Sequence, residues 1–258
     1  MIECLGSKSK MLFKKHKPIK SVWVLGSNSL VAQSICIELA KSGCDRFYLI
    51  SRNREKSKNF STFLMKNKKV QVKERIVDLN CQNQNNKEDF YRVDDFDLYL
   101  ITAGFLGNNN IAKIDFDEAK NIINSNYFGI IPWINAIATP ERIEKYCRLW
   151  VFTSVAADRG RPSNYYYGSA KAGLQNMCEG LMTSCHDKPF SVRIIKAGYM
   201  ATPMTIGKVP NFLCMKTADV AKILLKNDSK RGVEYLPWYW RPIMILIKIM
   251  PNFLVSRL

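Results

Sequence analysis

Ser21-Val22-Trp23-Val24-Leu25-Gly26-Ser27-Asn28-Ser29-Leu30-Val31-Ala32 passes from a strand pattern to a helix pattern across one glycine. Ser21 to Leu25 is a short apolar run, the mark of a buried strand. Gly26 permits the sharp exit that a residue with a Cβ resists. From Ser29 to Lys41, Leu30, Ile35, Ile37, Leu39 and Ala40 interleave with small and polar residues at helical spacing, and Gly43 ends the run.

The alternation continues along the chain. Strands are expected at 46–50, 70–77, 96–102, 148–153, 191–195 and 233–236, and helices at 59–67, 116–133 and 217–225, the last with Thr217 as a cap. Another helix carries Tyr167 and Lys171. The polar run Asn80 to Asn86 reads as a loop. Strands alternating with helices predict one doubly wound, Rossmann-type α/β domain over 21–236, a parallel sheet with helices on both faces. A basic lead-in covers 1–20 and a hydrophobic tail 237–258; no linker marks a second domain.

The chain has 258 residues, 47% hydrophobic and 24% charged, enough for a sizeable core. Its 39 Lys+Arg against 22 Asp+Glu leave a net charge of +17. The densest cluster is Lys8, Lys10, Lys14, Lys15, Lys17 and Lys20, and no nucleic-acid motif accompanies it. An anionic membrane or a phosphorylated substrate accounts for such a balance; so does a merely solvated basic surface. Eight cysteines (Cys4, Cys36, Cys44, Cys81, Cys147, Cys178, Cys185, Cys214) form no Cys-x-x-Cys pair, and the histidines are His16 and His186 alone. No metal site is expected. Thiols within apolar runs fit a reducing cytosol, and the N-terminus lacks an apolar run of signal-peptide length.

The expected chemistry gathers where strands end. After Gly26, the turn Ser27-Asn28-Ser29-Leu30 opens a helix whose N–H groups and partial positive charge suit a phosphate. One glycine alone is a weak signal, because many α/β turns carry one. After the second strand come Ser51, Arg52, Asn53, Arg54 and Lys56. An acid there would hold a ribose 2′-hydroxyl; cations suit a 2′-phosphate, so NADPH is expected over NADH. Asp78 follows the third strand and suits adenine. Ala103-Gly104 follows the fourth and leaves room for the cofactor.

Tyr167-Gly168-Ser169-Ala170-Lys171, with Ser154 thirteen residues before the tyrosine, supplies reactive groups. Positions four apart share a helix face. A free phenol has a pKa of about 10, and a nearby ammonium is expected to lower it, making a proton donor near neutral pH. Tyr and Lys four apart also occur on ordinary surface helices; Ser154, at the end of a buried strand, is what lifts the triplet above that.

These pieces in this order resemble the short-chain dehydrogenase/reductase family from about residue 21 to 204: the glycine turn, Asp78, Thr102-Ala103-Gly104, Asn126-Tyr127-Phe128-Gly129, Ser154, Tyr167 with Lys171, and Gly198 to Thr202. The resemblance implies a tetrad. Tyr167 is acid/base, Lys171 lowers its pKa and holds the nicotinamide ribose, Ser154 orients the carbonyl, and Asn126 anchors a water that relays protons to Lys171. Asn124 is the rival to Asn126, whose Asn-x-x-Gly spacing fits better. Gly26, Ser27, Asn28, Ser29, Leu30, Arg52, Asp78, Ala103, Gly104, Gly198 and Thr202 then contact NADP(H), with Tyr167 and Lys171. The chain departs from the pattern at Leu30 and Ala32, where the turn usually has glycines, and at Ala197, where it usually has proline.

The tail Leu236-Pro237-Trp238-Tyr239-Trp240-Arg241-Pro242 leads into Ile243 to Met250 and Pro251 to Leu258. A spanning helix needs about 20 apolar residues, and Pro242, Lys248 and Pro251 leave too few. Seating at a membrane interface, burial against the domain's own sheet and a dimer contact all remain open. More loosely, the tail and the Gly-x-x-Ser-x-x-Ala turn are similar to the branch that includes decaprenylphosphoryl-2-keto-ribose reductase. The resulting expectation is a cytoplasmic NADPH-dependent reductase, homo-oligomeric, in peripheral contact with the inner face of an anionic membrane. Its substrate would be a keto-sugar linked to polyprenyl phosphate, or else a soluble ketone or 3-oxoacyl thioester. A non-catalytic dinucleotide-binding regulator is the alternative of another class.

Overall fold

A computed structural model describes residues 17–80, 90–205, 209–210 and 213–257. Seven parallel strands form one sheet: β1 (Ser21–Leu25), β2 (Arg46–Ser51), β3 (Gln71–Ile76), β4 (Leu98–Ile101), β5 (Arg148–Ser154), β6 (Ser191–Ala197) and β7 (Gly232–Leu236). Their order across the sheet is β3-β2-β1-β4-β5-β6-β7. The order reverses between β1 and β4, and that is where an open α/β sheet splits its loops to form a crevice.

The strands read as unbroken apolar runs because both sheet faces are covered. Side chains alternate at period two. Val22 and Val24 therefore face one core, with Ile35, Leu39 and Val220, while Trp23 and Leu25 face the other, with Trp133, Ile134 and Leu174. The doubly wound fold expected from the alternation of strands and helices is the one found.

Three local expectations need correction. The second helix runs Arg54–Asn67, beginning before residue 59, because the Asn53 side chain accepts a hydrogen bond from the Lys56 N–H at 2.9 Å and caps it. The single helix expected over 116–133 is three pieces: an α-helix Phe116–Ile123, a π-helix Asn124–Phe128 and an α-helix Ile131–Ile137. Pro132 explains the break, since it lacks an N–H and its ring clashes with the carbonyl four residues back. Thr217 does not cap its helix. Lys216 takes that position, and the Thr217 hydroxyl accepts from Ser34 Oγ at 2.8 Å, joining this helix, Thr217–Lys226, to the one at Leu30–Lys41.

Of the basic lead-in, residues 17–20 are described, and Ile19 is buried. Lys8, Lys10, Lys14 and Lys15 lie outside the described residues, as do 81–86 of the polar loop. Asp97, at the foot of β4, accepts from the Lys20 N–H, the Ser21 N–H and Ser21 Oγ, at 3.0, 3.0 and 2.9 Å. Lys17 pairs with its other oxygen at 2.7 Å. Burial works against the Asp97 carboxylate, but Lys17 and the Ser21 and Lys20 donors outweigh it and hold its pKa below the usual range. The group thus fastens β1 to β4 at the end opposite the crevice.

Asp97→Ala should cost about 1–3 kcal/mol, the range for leaving buried donors unmatched. A depressed carboxylate stabilises above its unfolded pKa of about 3.9 and loses that contribution as pH falls through the folded value. The gap between wild type and variant in urea denaturation should therefore be full at pH 6 and narrow below pH 4.

Candidate active site

The crevice opens at the C-terminal ends of the strands, where the turns after them and the faces of two helices supply its lining. Gly26 leaves β1 at φ +94, a left-handed value that glycine alone adopts without strain. A Cβ there would also lie 2.5 Å from the Ala103 nitrogen. The turn is tied to both neighbours: the Gly26 and Ser27 N–H groups donate to the Ile50 carbonyl, and Thr102 Oγ1 donates to the Gly26 carbonyl at 3.0 Å. Ser27 Oγ and Asn28 Oδ1 are buried with no partner.

A cavity of about 1080 Å³ runs from this turn across the top of the sheet. Gly26, Asn28, Ser29, Leu30, Arg52, Asp78, Ala103, Gly104, Ser154, Tyr167, Lys171, Gly198 and Thr202, all singled out in the sequence, line it. Two others do not. Ser27 is buried beneath the turn, and Asn126 is wholly buried behind Gly104.

The reactive end is built by helix Tyr165–Ser184 lying over the loop that follows Ser154. The approach is close: a Cβ on Gly168 would stand 2.8 Å from the Ala156 carbonyl. Ser154 Oγ accepts from the Ala156 N–H at 3.1 Å, and its hydroxyl neighbours the Tyr167 phenol. Lys171 is 3% exposed and donates to the carbonyls of Ala103 and Phe152 at 3.1 and 3.2 Å. Asn126 lies in the π-helix. Its Nδ2 donates to the carbonyls of Phe105 and Ile122 at 2.6 and 2.8 Å, and its Oδ1 accepts from the Phe105 N–H at 3.2 Å. A Cβ on Gly104 would meet Asn126 Oδ1 at 3.0 Å and Lys171 Nζ at 3.4 Å, so the two side chains flank one glycine. The rival Asn124 is buried, and its Nδ2 has no partner.

The titration of the pair departs from expectation. Burial pushes the Tyr167 phenol up, the neighbouring Ser154 hydroxyl works against it, and the net direction is upward. Burial also pulls Lys171 down to about 8, while the neighbouring Cys178 acts the other way. Desolvation, which spacing does not reveal, sets the direction, and the group opposing it is Ser154 rather than the Lys171 cation expected to lower the phenol. The phenol therefore remains protonated at neutral pH.

The remaining wall comes from the second helix. Lys56, Asn59, Phe60 and Phe63 line the cavity at successive turns of one face. A helix beginning at Asn59 would leave Lys56 off that face; the sequence signal for the earlier start is Asn53, three residues before Lys56. At the far side, Thr202 is half-buried and Thr205 Oγ1 donates to the Met200 carbonyl.

A deep cleft at the switch point of a parallel sheet, with a tight glycine turn at one end and a Ser-Tyr-Lys cluster at the other, defines a dinucleotide-fold dehydrogenase. The family model described as short chain dehydrogenase matches residues 20–211. The chain belongs to that family. An uncharacterized oxidoreductase of Mycobacterium tuberculosis (strain ATCC 25618 / H37Rv) is 31% identical over 161 residues, 62% of this chain and 64% of that protein. The match thus spans under two thirds of that relative's length. A 3-oxoacyl-(acyl-carrier-protein) reductase of Haemophilus influenzae is 26% identical over 192 residues, 72% of this chain and 76% of that one. Among solved structures, a short-chain dehydrogenase from Sphingobium yanoikuyae in complex with NADPH shares the fold at a TM-score of 0.75 and 16% identity, covering 91% of this chain and 97% of that one.

Gly26→Ala should cost about 2 kcal/mol or more, since it forces a strained backbone value as well as a clash. Chemical denaturation measures it, with an otherwise unchanged circular dichroism spectrum as the control.

Proposed function

We propose that the protein reduces a ketone to an alcohol with NADPH. The observation that carries this reading is the Ser154–Tyr167 hydroxyl pair beside a buried Lys171, at one end of a cavity whose other end is a phosphate-sized turn. The turn fits a dinucleotide: Asn28, Ser29 and Leu30 line the cavity where the Leu30–Lys41 helix begins, and the N–H groups of that helix N-terminus suit phosphate groups. Arg52 and Lys56 suit a 2′-phosphate, and Asp78 the adenine side. Ala103, Gly104, Gly198 and Thr202 bound the nicotinamide end. When bound, the cofactor supplies a hydride to the carbonyl carbon.

The chain's own groups supply the rest. Ser154 donates a hydrogen bond that holds the carbonyl oxygen. Tyr167, protonated at neutral pH, gives its proton to that oxygen as charge develops there. Lys171, fixed by two backbone carbonyls, places an ammonium next to the phenolate that remains and holds the ribose. In this reading Asn126 anchors the water through which the lysine is reprotonated.

For the substrate we propose a keto-sugar carried on polyprenyl phosphate. The net charge of +17 and an apolar tail abutting the cavity wall at Gly198 support it. A 3-oxoacyl thioester or another soluble ketone is the second reading, favoured by the likeness to the 3-oxoacyl reductase. Comparing kcat/KM for a lipid-linked keto-sugar with that for a 3-oxoacyl thioester separates them. Work in the cytoplasm at a membrane's inner face belongs to the same proposal, supported by the buried free thiols of Cys36, Cys44, Cys147 and Cys178. So does self-association, supported by the exposed Phe116 and Phe128.

Tyr167→Phe should keep NADPH binding, read by fluorescence, and lose turnover at least about 100-fold. Wild-type rates in that variant would sink the proton-donor role, and no turnover in either protein would favour a non-catalytic binder. Arg52→Ala should weaken NADPH more than NADH; an unchanged ratio would remove Arg52 from the 2′-phosphate site. Lys171 loses its charge as pH rises through about 8, so kcat/KM for reduction should fall above that pH.

A further inference from the structure

The tail forms two helices, Trp240–Ile249 and Asn252–Val255. The first is seated on the domain by one face. Trp240 and Met244 are buried with Val155 and with Tyr199 and Tyr235. The seat is tight, since a Cβ on Gly198 would fall 1.9 Å from the Trp240 indole nitrogen. Polar ties fix it further. Lys248 lies 3.6 Å from the buried Asp158, and Arg159 donates to Asn252 Oδ1 at 2.5 Å.

A helix seated this way is expected to turn a polar face outward. This one does not. Opposite Trp240 and Met244 stand Pro242, Ile245, Leu246 and Ile249, with Ile245, Leu246 and Ile249 exposed by 54%, 59% and 75%. Phe253 and Leu254 in the next helix and Trp238 just before are exposed as well. Among the described residues, no helix is long and apolar enough to cross a membrane. Cations border the patch: Arg241 and Lys248 lie on one flank of the helix and Arg257 follows it, all exposed, in a chain of net charge +17.

We propose that this outward face, centred on Ile245, Leu246 and Ile249, seats the protein on an anionic phospholipid surface. Apolar side chains enter the boundary between headgroups and acyl chains while flanking cations meet lipid phosphates. The charge selects this occupant over a second copy, whose own Arg241, Lys248 and Arg257 would face these. Because the seat of the helix contacts Gly198 and Tyr199, the cavity wall lies next to the lipid. That consequence rests on the reductase reading; the docking itself does not.

The test is co-sedimentation of the full chain with vesicles of phosphatidylglycerol and phosphatidylcholine, and with vesicles of phosphatidylcholine alone. Wild type should partition at least tenfold more to the anionic vesicles, and 0.5 M salt should reduce that binding. Ile245→Asp with Ile249→Asp, at outward positions, should lose at least tenfold in partitioning while keeping its thermal melt and NADPH binding. Equal recovery of wild type on both vesicle types overturns the proposal without recourse to any variant. So does equal recovery of wild type and the double variant. A wild-type dimer that the double variant converts to monomer, with neither binding vesicles, would make the face a contact between copies. Vesicle binding without any NADPH oxidation would sink the reductase reading and leave the docking intact.

Discussion

Lys171 carries an ammonium in a place where an ammonium is expensive. Removing such a charge from water costs several kcal/mol even after the protein relaxes. The cost is offset by the carbonyls of Ala103 and Phe152, both aimed at Nζ. Those carbonyls lie at the ends of neighbouring strands, so the lysine stitches β4, β5 and the Tyr165–Ser184 helix into one corner. Gly168 lets that helix come close enough for the reach to be made. The incomplete compensation shows as a pKa drawn down to about 8.

The same short backbone stretch serves the opposite half of the cleft. The Ala103 N–H donates to the Leu25 carbonyl, and Thr102 Oγ1 donates to the Gly26 carbonyl. Residues 102–104 therefore touch the glycine turn with one edge and the Lys171–Asn126 corner with the other. A ligand spanning the cavity would meet two ends held in register by three residues. Asp97 fixes the same pair of strands from below, so β1 and β4 are pinned at both ends while the crevice stays open between them.

Much of this was legible in the sequence, because strand ends in a parallel sheet are where apolar runs stop. The turn at Gly26, Arg52 after Ser51 and Ser154 sit at such stops, Tyr167 and Lys171 sit on the helix that follows Ser154, and the structure brings them to one cavity. What was not legible depends on three-dimensional neighbours. The π-helix around Asn126 has no period of its own to read; only Gly129 and Pro132 hint that the helix cannot continue. Ser27 looks like a donor by composition, yet its N–H is spent on Ile50 and its side chain lies under the turn. The direction of the Tyr167 shift follows from burial, which a spacing of four cannot disclose.

The tail shows why the open alternatives in the sequence were not exclusive. A helix with apolar residues on two opposite faces satisfies burial against the domain with one and leaves the other unspent. Its seat is specific rather than merely sticky: Asp158 is held by Lys196 and accepts from the Tyr235 hydroxyl at 2.8 Å, deep under Lys248. Buried ion pairs add little net stability against an apolar replacement, and register is the better-attested use for them. Here they set the tail against the loop that leaves Ser154. The apolar residues facing outward contribute nothing to that seat, so their presence in a helix otherwise fixed so narrowly calls for a partner outside the domain.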